Sequence, residues 1–172
     1  MYVHRVLTKA LNAAERQSLI PRNPASYATP SKVRKLKCEI YSKDEIIALL
    51  ESVKDSDYAV AITLAAICGM RRGEILGLKH EDINLKYRTI RIQRQLIPTK
   101  DGLIFKQPKR EDSNRIIHAP QEVMIIIEKH LQRQEKYKEM LGNEYQDNGL
   151  VNCYPDGRMI DPRNLSKYLL IL

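Results

Sequence analysis

The chain has few of the features that usually announce chemistry. Its 172 residues hold only three cysteines, Cys38, Cys68 and Cys153. They are odd in number, widely spaced and without a Cys-x-x-Cys pair, so neither a disulfide framework nor a thiolate metal site is expected. Cys68 ends an apolar run and reads as a small core residue. The context read from this is reducing and cytoplasmic. No apolar run reaches the length of a membrane span. Residues 1–20 carry Arg5, Lys9, Glu15 and Arg16, which excludes a secretory signal. There is no Gly-rich phosphate loop and no His-Glu-x-x-His, which argues against nucleotide-dependent or metal chemistry. No cofactor and no metal are expected. Internal repeats and low-complexity tracts are also missing.

What is abundant is positive charge. Lys and Arg number 29 against 21 Asp and Glu, a net charge of +8. Residues 1–40 hold eight basic side chains and two acidic ones, six of those eight net charges. A basic stretch of this density suits phosphate contacts. A solvated tail has the same composition. At 43% apolar residues and 29% charged ones, the chain is globular and long enough to bury a core.

Helical spacing of Val3, Val6, Leu7, Ala10, Leu11 and Ala14 predicts a helix over residues 2–20. Pro21, Asn23-Pro24 and Pro30 end it, and residues 21–41 read as a basic linker. Ser42 and Glu45 form a capping box, so a helix should follow with Ile46, Ile47, Leu50 and Val53 inward. Asp57 should cap a helix over Tyr58–Cys68, apolar nearly all round and therefore central. Gly69 stops it, and residues 74–78 form a short helix. Strands are expected at residues 89–93, 103–105 and 115–118, with Asp101-Gly102 as a hairpin turn. A long helix over Gln121–Leu141 ends at Gly142. Gly149–Cys153 is extended, Pro155-Asp156-Gly157 is a turn, and Asp161-Pro162 opens a last helix.

The most informative stretch is Gly69-Met70-Arg71-Arg72-Gly73-Glu74. Two arginines follow a long apolar run at a glycine-bounded turn. A guanidinium held there can clamp a phosphate, because its donor fork matches two oxygens and never loses its charge. The plainer reading is a helix C-terminus with solvated arginines near its negative end.

Wider context separates the two readings. The run Thr63-Leu-Ala-Ala-Ile-Cys-Gly-Met-Arg-Arg-Gly-Glu-Ile-Leu-Gly-Leu-Lys-His-Glu-Asp-Ile83 resembles the first signature of the tyrosine recombinases, the phage-integrase family. Lys109-Arg-Glu-Asp-Ser-Asn-Arg-Ile-Ile-His-Ala-Pro120 resembles that family's Lys-Thr-x-x-Ser-x-Arg-x-Ile-Pro hairpin. Arg110 and His118 replace its frequent threonine and proline. Gly149-Leu-Val, Asp156-Gly157 and Asp161-Pro162 follow in the family's order, and Leu19-Ile20 with Asn23-Pro24 resemble the end of its core-binding domain.

The resemblance implies an α+β, mainly α fold: a helical bundle with a small antiparallel three-stranded sheet, as in an incomplete catalytic domain. Residues 1–20 would be the last core-binding helix, 21–41 the linker, and 42–172 the N-terminal part of the catalytic domain. It assigns catalytic roles to Arg71 and Lys109, which are 38 positions apart. Arg71 would neutralise charge on the non-bridging phosphate oxygens, and Lys109 would protonate the departing 5′ oxygen. Lys106 and Arg110 rival Lys109 for that approach. Lys32, Arg34, Lys35, Lys37, Arg72, Arg110 and Arg115 are the candidate DNA contacts. The partner implied is double-stranded DNA, with the complete protein assembled as a tetramer on it and no membrane involved.

The family's His-x-x-Arg motif and nucleophilic tyrosine have no counterpart in the right order. His130-Leu-Gln-Arg133 precedes the Gly149 segment instead of following it and reads as helix surface. Tyr154 and Tyr168 also come too early. The expectation is therefore a truncated chain that binds DNA weakly, is not catalytic alone, and exposes apolar surface that favours self-association. The alternatives are a non-catalytic DNA-binding or regulatory fragment of a mobile element, and a helical interaction protein whose charge serves solvation.

Overall fold

The computed structural model describes residues 2–29, 40–107 and 114–171. The chain divides into two compact units, residues 1–40 and 41–172.

In the first unit, helix α1 spans Tyr2–Arg16. It ends four residues before the sequence pattern does, because Ser18 turns left-handed at φ 56°. None of its residues is buried, and Val3 and Leu7 on its apolar face are exposed. A polar staple closes the unit. Asn23 is buried; its side-chain amide donates to Asn12 Oδ1 at 2.6 Å and its backbone N–H to Glu15 Oε2 at 3.1 Å. Asn23 Oδ1 in turn caps the 3-10 turn Pro24–Tyr27 by accepting from Ala25 N.

The second unit begins with α2 (Lys43–Val53), capped as its Ser42–Glu45 pair predicts. Its inward face is Ile46, Leu49, Leu50 and Val53, whereas Ile47 is 53% exposed, contrary to the sequence expectation. Helix α3 spans Ala59–Cys68. Asp57 does not cap it: Tyr58 holds the N-cap position, and Ala59 N is satisfied by Ser56 O in a backbone turn. Val60–Leu64 are buried, but Ala65–Ile67 are exposed, so only the first half of α3 is central. Gly69 ends it in the left-handed region at φ 61°, a conformation other residues adopt only with strain. Helix α4 is the single turn and a half Arg72–Leu76.

The strands are β1 (Ile83–Asn84), β2 (Thr89–Ile92), β3 (Gln95–Thr99), β4 (Gly102–Lys106) and β5 (Arg115–His118). A three-stranded antiparallel sheet exists, but in the order β1-β2-β5. The 103–105 strand is not its third member. It lies in β4, which pairs with β3 in a separate hairpin about the Asp101-Gly102 turn. Pro98 lowers the strand signal of β3, yet Pro98 is tolerated in a two-stranded hairpin with unpaired outer edges. Ile90 and Ile92 of β2 point into the core and Arg91 out, the alternation expected of a half-buried strand.

Helix α5 (Gln121–Leu141) lays Val123, Met124 and Ile127 on the core formed by α3, α4 and β2. Helix α6 (Pro162–Leu169) is capped by Asp161, whose Oδ1 accepts from Arg163 N at 2.8 Å. The architecture is α+β and mainly helical. Among the described residues no helix is long and apolar enough to cross a membrane.

Candidate phosphate site at the arginine turn

Helix α4 owes its position to two glycines. A Cβ on Gly73 would lie 3.1 Å from Leu96 O, and one on Gly77 would lie 3.0 Å from Leu96 N. The helix backbone therefore rests directly on β3. Apolar Met70, Ile75 and Leu76 fill the core beneath, and Gly69 and Arg71 stand at the surface.

Glu74 sits at the centre of this turn with only 4% of its side chain exposed. It is the third helical residue, and its Oε2 accepts the backbone N–H of Arg71 at 3.0 Å, half of a capping box. Its Oε1 accepts from Arg71 Nη1 at 3.0 Å. From the far side Arg115, at the start of β5, donates Nη1 to Oε1 at 3.1 Å and Nη2 to Oε2 at 2.9 Å. Burial alone pushes the Glu74 carboxyl up; the bonds from Arg115 and Arg71 outweigh it and hold the group below its ordinary value. The result is a buried carboxylate between two guanidiniums. Arg71 remains 73% exposed and Arg115 33%.

Arg72 opens α4 and donates Nη1 to Ser166 Oγ on α6. Arg71, Arg72 and Arg115 thus gather around one short helix. Lys106 closes β4 in an exposed position. Lys109, Arg110, Lys32, Arg34, Lys35 and Lys37 lie outside the described residues. Glu74 and Ser166 were given no role from sequence. The three-residue spacing of Arg71 and Glu74 was a usable signal for the former; Ser166 had none.

Asp82 supports the site from below. Its carboxylate accepts Lys79 N at 3.0 Å and Gln93 Nε2 at 2.6 Å, and pairs with Arg94. This buried group ties the turn after α4 to the β2–β3 junction.

His130 and Arg133 have a structural occupation. His130 is buried and donates Nε2–H to Val151 O at 2.8 Å, while its Nδ1 accepts from Arg133 Nη2 at 3.3 Å. Burial, then the Arg133 charge, lowers its pKa despite the Val151 carbonyl, which favours the charged form. Gln134 donates Nε2 to the same carbonyl at 2.9 Å, so α5 pins the 150–153 segment from two positions. Tyr154 and Tyr168 are also occupied in packing. Tyr154 OH lies 3.4 Å from Tyr58 OH and accepts from Asn164 Nδ2 at 3.1 Å, and the Tyr58 and Tyr168 rings are 4.6 Å apart. A cavity of about 560 Å³ between α2, α3 and α5 is lined by Ile47, Leu50, Val60, Ile126 and His130, and by none of Arg71, Arg72, Glu74 or Arg115. Among the described residues no three His, Cys, Asp or Glu side chains group as a metal site requires.

An exposed guanidinium backed by a buried carboxylate is suited to an oxyanion. The family model described as Phage integrase family matches residues 39–168. A tyrosine recombinase XerC-like protein of Caldanaerobacter subterraneus subsp. tengcongensis is 27% identical over 183 residues, covering 96% of this chain and 47% of that protein. An integrase of Saccharopolyspora erythraea is 23% identical, covering 99% of this chain and 51% of that protein. The chain thus spans about half the length of these curated relatives. Among solved structures, the Tn1549 transposon integrase in complex with transposon right end DNA superposes with a TM-score of 0.74 at 19% identity, over 98% of this chain and 57% of that one. A lambda integrase tetramer bound to a Holliday junction gives 0.61 at 17% identity, over 99% of this chain and 45% of that one. These likenesses concern the fold.

Proposed function

Because the chain belongs to the phage integrase family, we propose that it binds double-stranded DNA and supplies half of a strand-exchange site. Arg71 clamps the scissile phosphate. The observation that carries this reading is the exposed Arg71 guanidinium, held from behind by a carboxylate that is itself buried. Such a cation is aimed before the ligand arrives, so its charge stabilises a phosphate without reorganisation. Arg72 flanks it. The basic stretch with Lys32, Arg34, Lys35 and Lys37 tracks the backbone without reading sequence. Lys109, with Arg110 beside it, approaches the same phosphate.

In the complete recombinase a tyrosine oxygen attacks phosphorus and the 5′ oxygen departs, leaving the 3′ end on the enzyme. Arg71 offsets charge on the non-bridging oxygens, and Lys109 gives the departing oxygen its proton. No metal or cofactor enters this scheme. The work is done in the cytoplasm by a tetramer on DNA. The chain's exposed apolar surfaces favour self-association, which sedimentation at high concentration would reveal.

A mobility-shift series from low to moderate salt tests the reading. Retardation that weakens linearly in log–log form with salt is expected, with no covalent protein–DNA adduct on a denaturing gel. No retardation at the lowest salt would refute it.

A further inference from the structure

Three guanidiniums crowd the arginine turn, and the sequence treats Arg115 as one more DNA contact. The geometry points to a different role. We propose that Arg115 is a positioning residue, which holds Glu74 and through it aims and charges Arg71. This rests on the phosphate-clamp reading above.

The first argument is where the donors go. Arg115 places one hydrogen of each Nη on a different oxygen of Glu74, at 3.1 and 2.9 Å. That two-point fork fixes the plane of the carboxylate. Arg71 spends only Nη1 on the same group and is 73% exposed. Its Nε and Nη2 make no bond among the described residues, while Arg115 is only 33% exposed.

The second argument is charge. Glu74 alone with Arg71 would form a neutral pair, with little left to attract a phosphate. Adding Arg115 gives two cations on one anion. The surplus positive charge is carried by Arg71, the outermost member. Arg115 therefore restores to Arg71 the charge that Glu74 would otherwise cancel, while Glu74 keeps its orienting bonds.

The third is placement. Arg115 pairs with Ile92 in the β2–β5 ladder, so sheet register sets its position, not ligand. Its partner Glu74 is buried on α4, whose height is set by β3. The carboxylate joins two elements 41 positions apart.

The test uses this chain and a mixed-sequence 30-bp duplex, with affinity measured across a salt series. Arg71→Ala should lower the slope of log affinity against log salt by about 0.9, one phosphate contact. Arg115→Ala should weaken binding in the otherwise unaltered chain, yet change neither affinity nor slope further in the Arg71→Ala background. A further loss of about 0.9 in the double variant would show a direct contact and overturn the proposal. So would Arg115→Ala without effect in the unaltered chain.

Arg115→Lys guards against misfolding, with a cooperative thermal melt as the check. Lysine replaces arginine adequately at a simple phosphate contact but cannot form the two-point fork. Binding should fall as it does in Arg115→Ala; retention of binding would overturn the proposal. If the unaltered chain fails to bind at any salt, the clamp reading itself fails, which is a different result.

Discussion

Gly77 and Leu96 are in backbone contact: a Cβ on the glycine would lie 3.0 Å from the leucine nitrogen. The neighbour is main chain and cannot swing aside. Gly77→Ala should therefore push α4 off β3 and cost about 1–3 kcal/mol, as overpacking does. Gly69 makes a useful contrast, since nothing lies within 4 Å of its would-be Cβ but its φ is 61°. Gly69→Ala should cost about 1–2 kcal/mol through backbone strain alone. Urea denaturation measures both, and only Gly77→Ala should also reduce DNA binding.

The Glu74 carboxyl titrates below its ordinary value in the folded chain, because Arg115 and Arg71 together outweigh burial. A lowered carboxylate stabilises the fold above its unfolded pKa of about 4.3, and that contribution is lost as pH falls through the folded value. Glu74→Gln should lower the urea midpoint at pH 7 by an amount equal to about 2–3 kcal/mol, less than a wholly buried pair because Arg115 is partly solvated. The gap between the two proteins should narrow steadily below pH 4 or so.

His130 carries the opposite charge logic. Burial first, and then Arg133, lower its pKa, so the folded chain holds it neutral. Its contribution is complete above the unfolded value of about 6.5 and is lost as pH falls below that towards the folded value. Unfolding midpoints should decline between pH 7 and 5.5, ahead of the carboxylates. His130→Gln should flatten that decline; an unchanged slope would show that another group is responsible.

Asp82 offers a test of the scaffold without touching the arginine turn. Its side chain is 1% exposed and paired with Arg94, itself 17% exposed. Asp82→Asn keeps the shape but leaves Arg94 only its partly solvated partner Glu81, at 2.7 Å, and should cost about 1–3 kcal/mol. Arg94→Met in that background should recover part of the loss in the same urea experiment, since it removes a largely buried cation left with a single exposed partner.

Local rules were legible in the sequence. The Ser42–Glu45 box, the Gly69 stop and the Asp161-Pro162 start each depend on residues within one turn, and the structure bears them out. The end of α5 was equally plain, because Gly142 stops it. What failed was pairing. Leu103–Phe105 reads as a strand behind the Asp101-Gly102 turn, but Pro98 lowers the strand signal of its partner β3. Ile83-Asn84 is too short to register at all. The same limit applied at the site. Arg71 stood out by its setting, whereas the bond from Arg115 to Glu74 spans 41 positions and depends on sheet register.

That span bears on the order of folding. Helices α3 and α4 close over short loops, but Glu74 gains its second cation only when β5 has joined β2. Non-local closure of this kind is slow and comes at an entropic cost local contacts do not share. A chain with its helices formed and its sheet open holds Arg71 and Glu74 as a self-neutralised local pair. If Arg71 clamps a phosphate as proposed, the arginine turn becomes attractive to a polyanion only at the step that completes the sheet, so the fold and the clamp mature together.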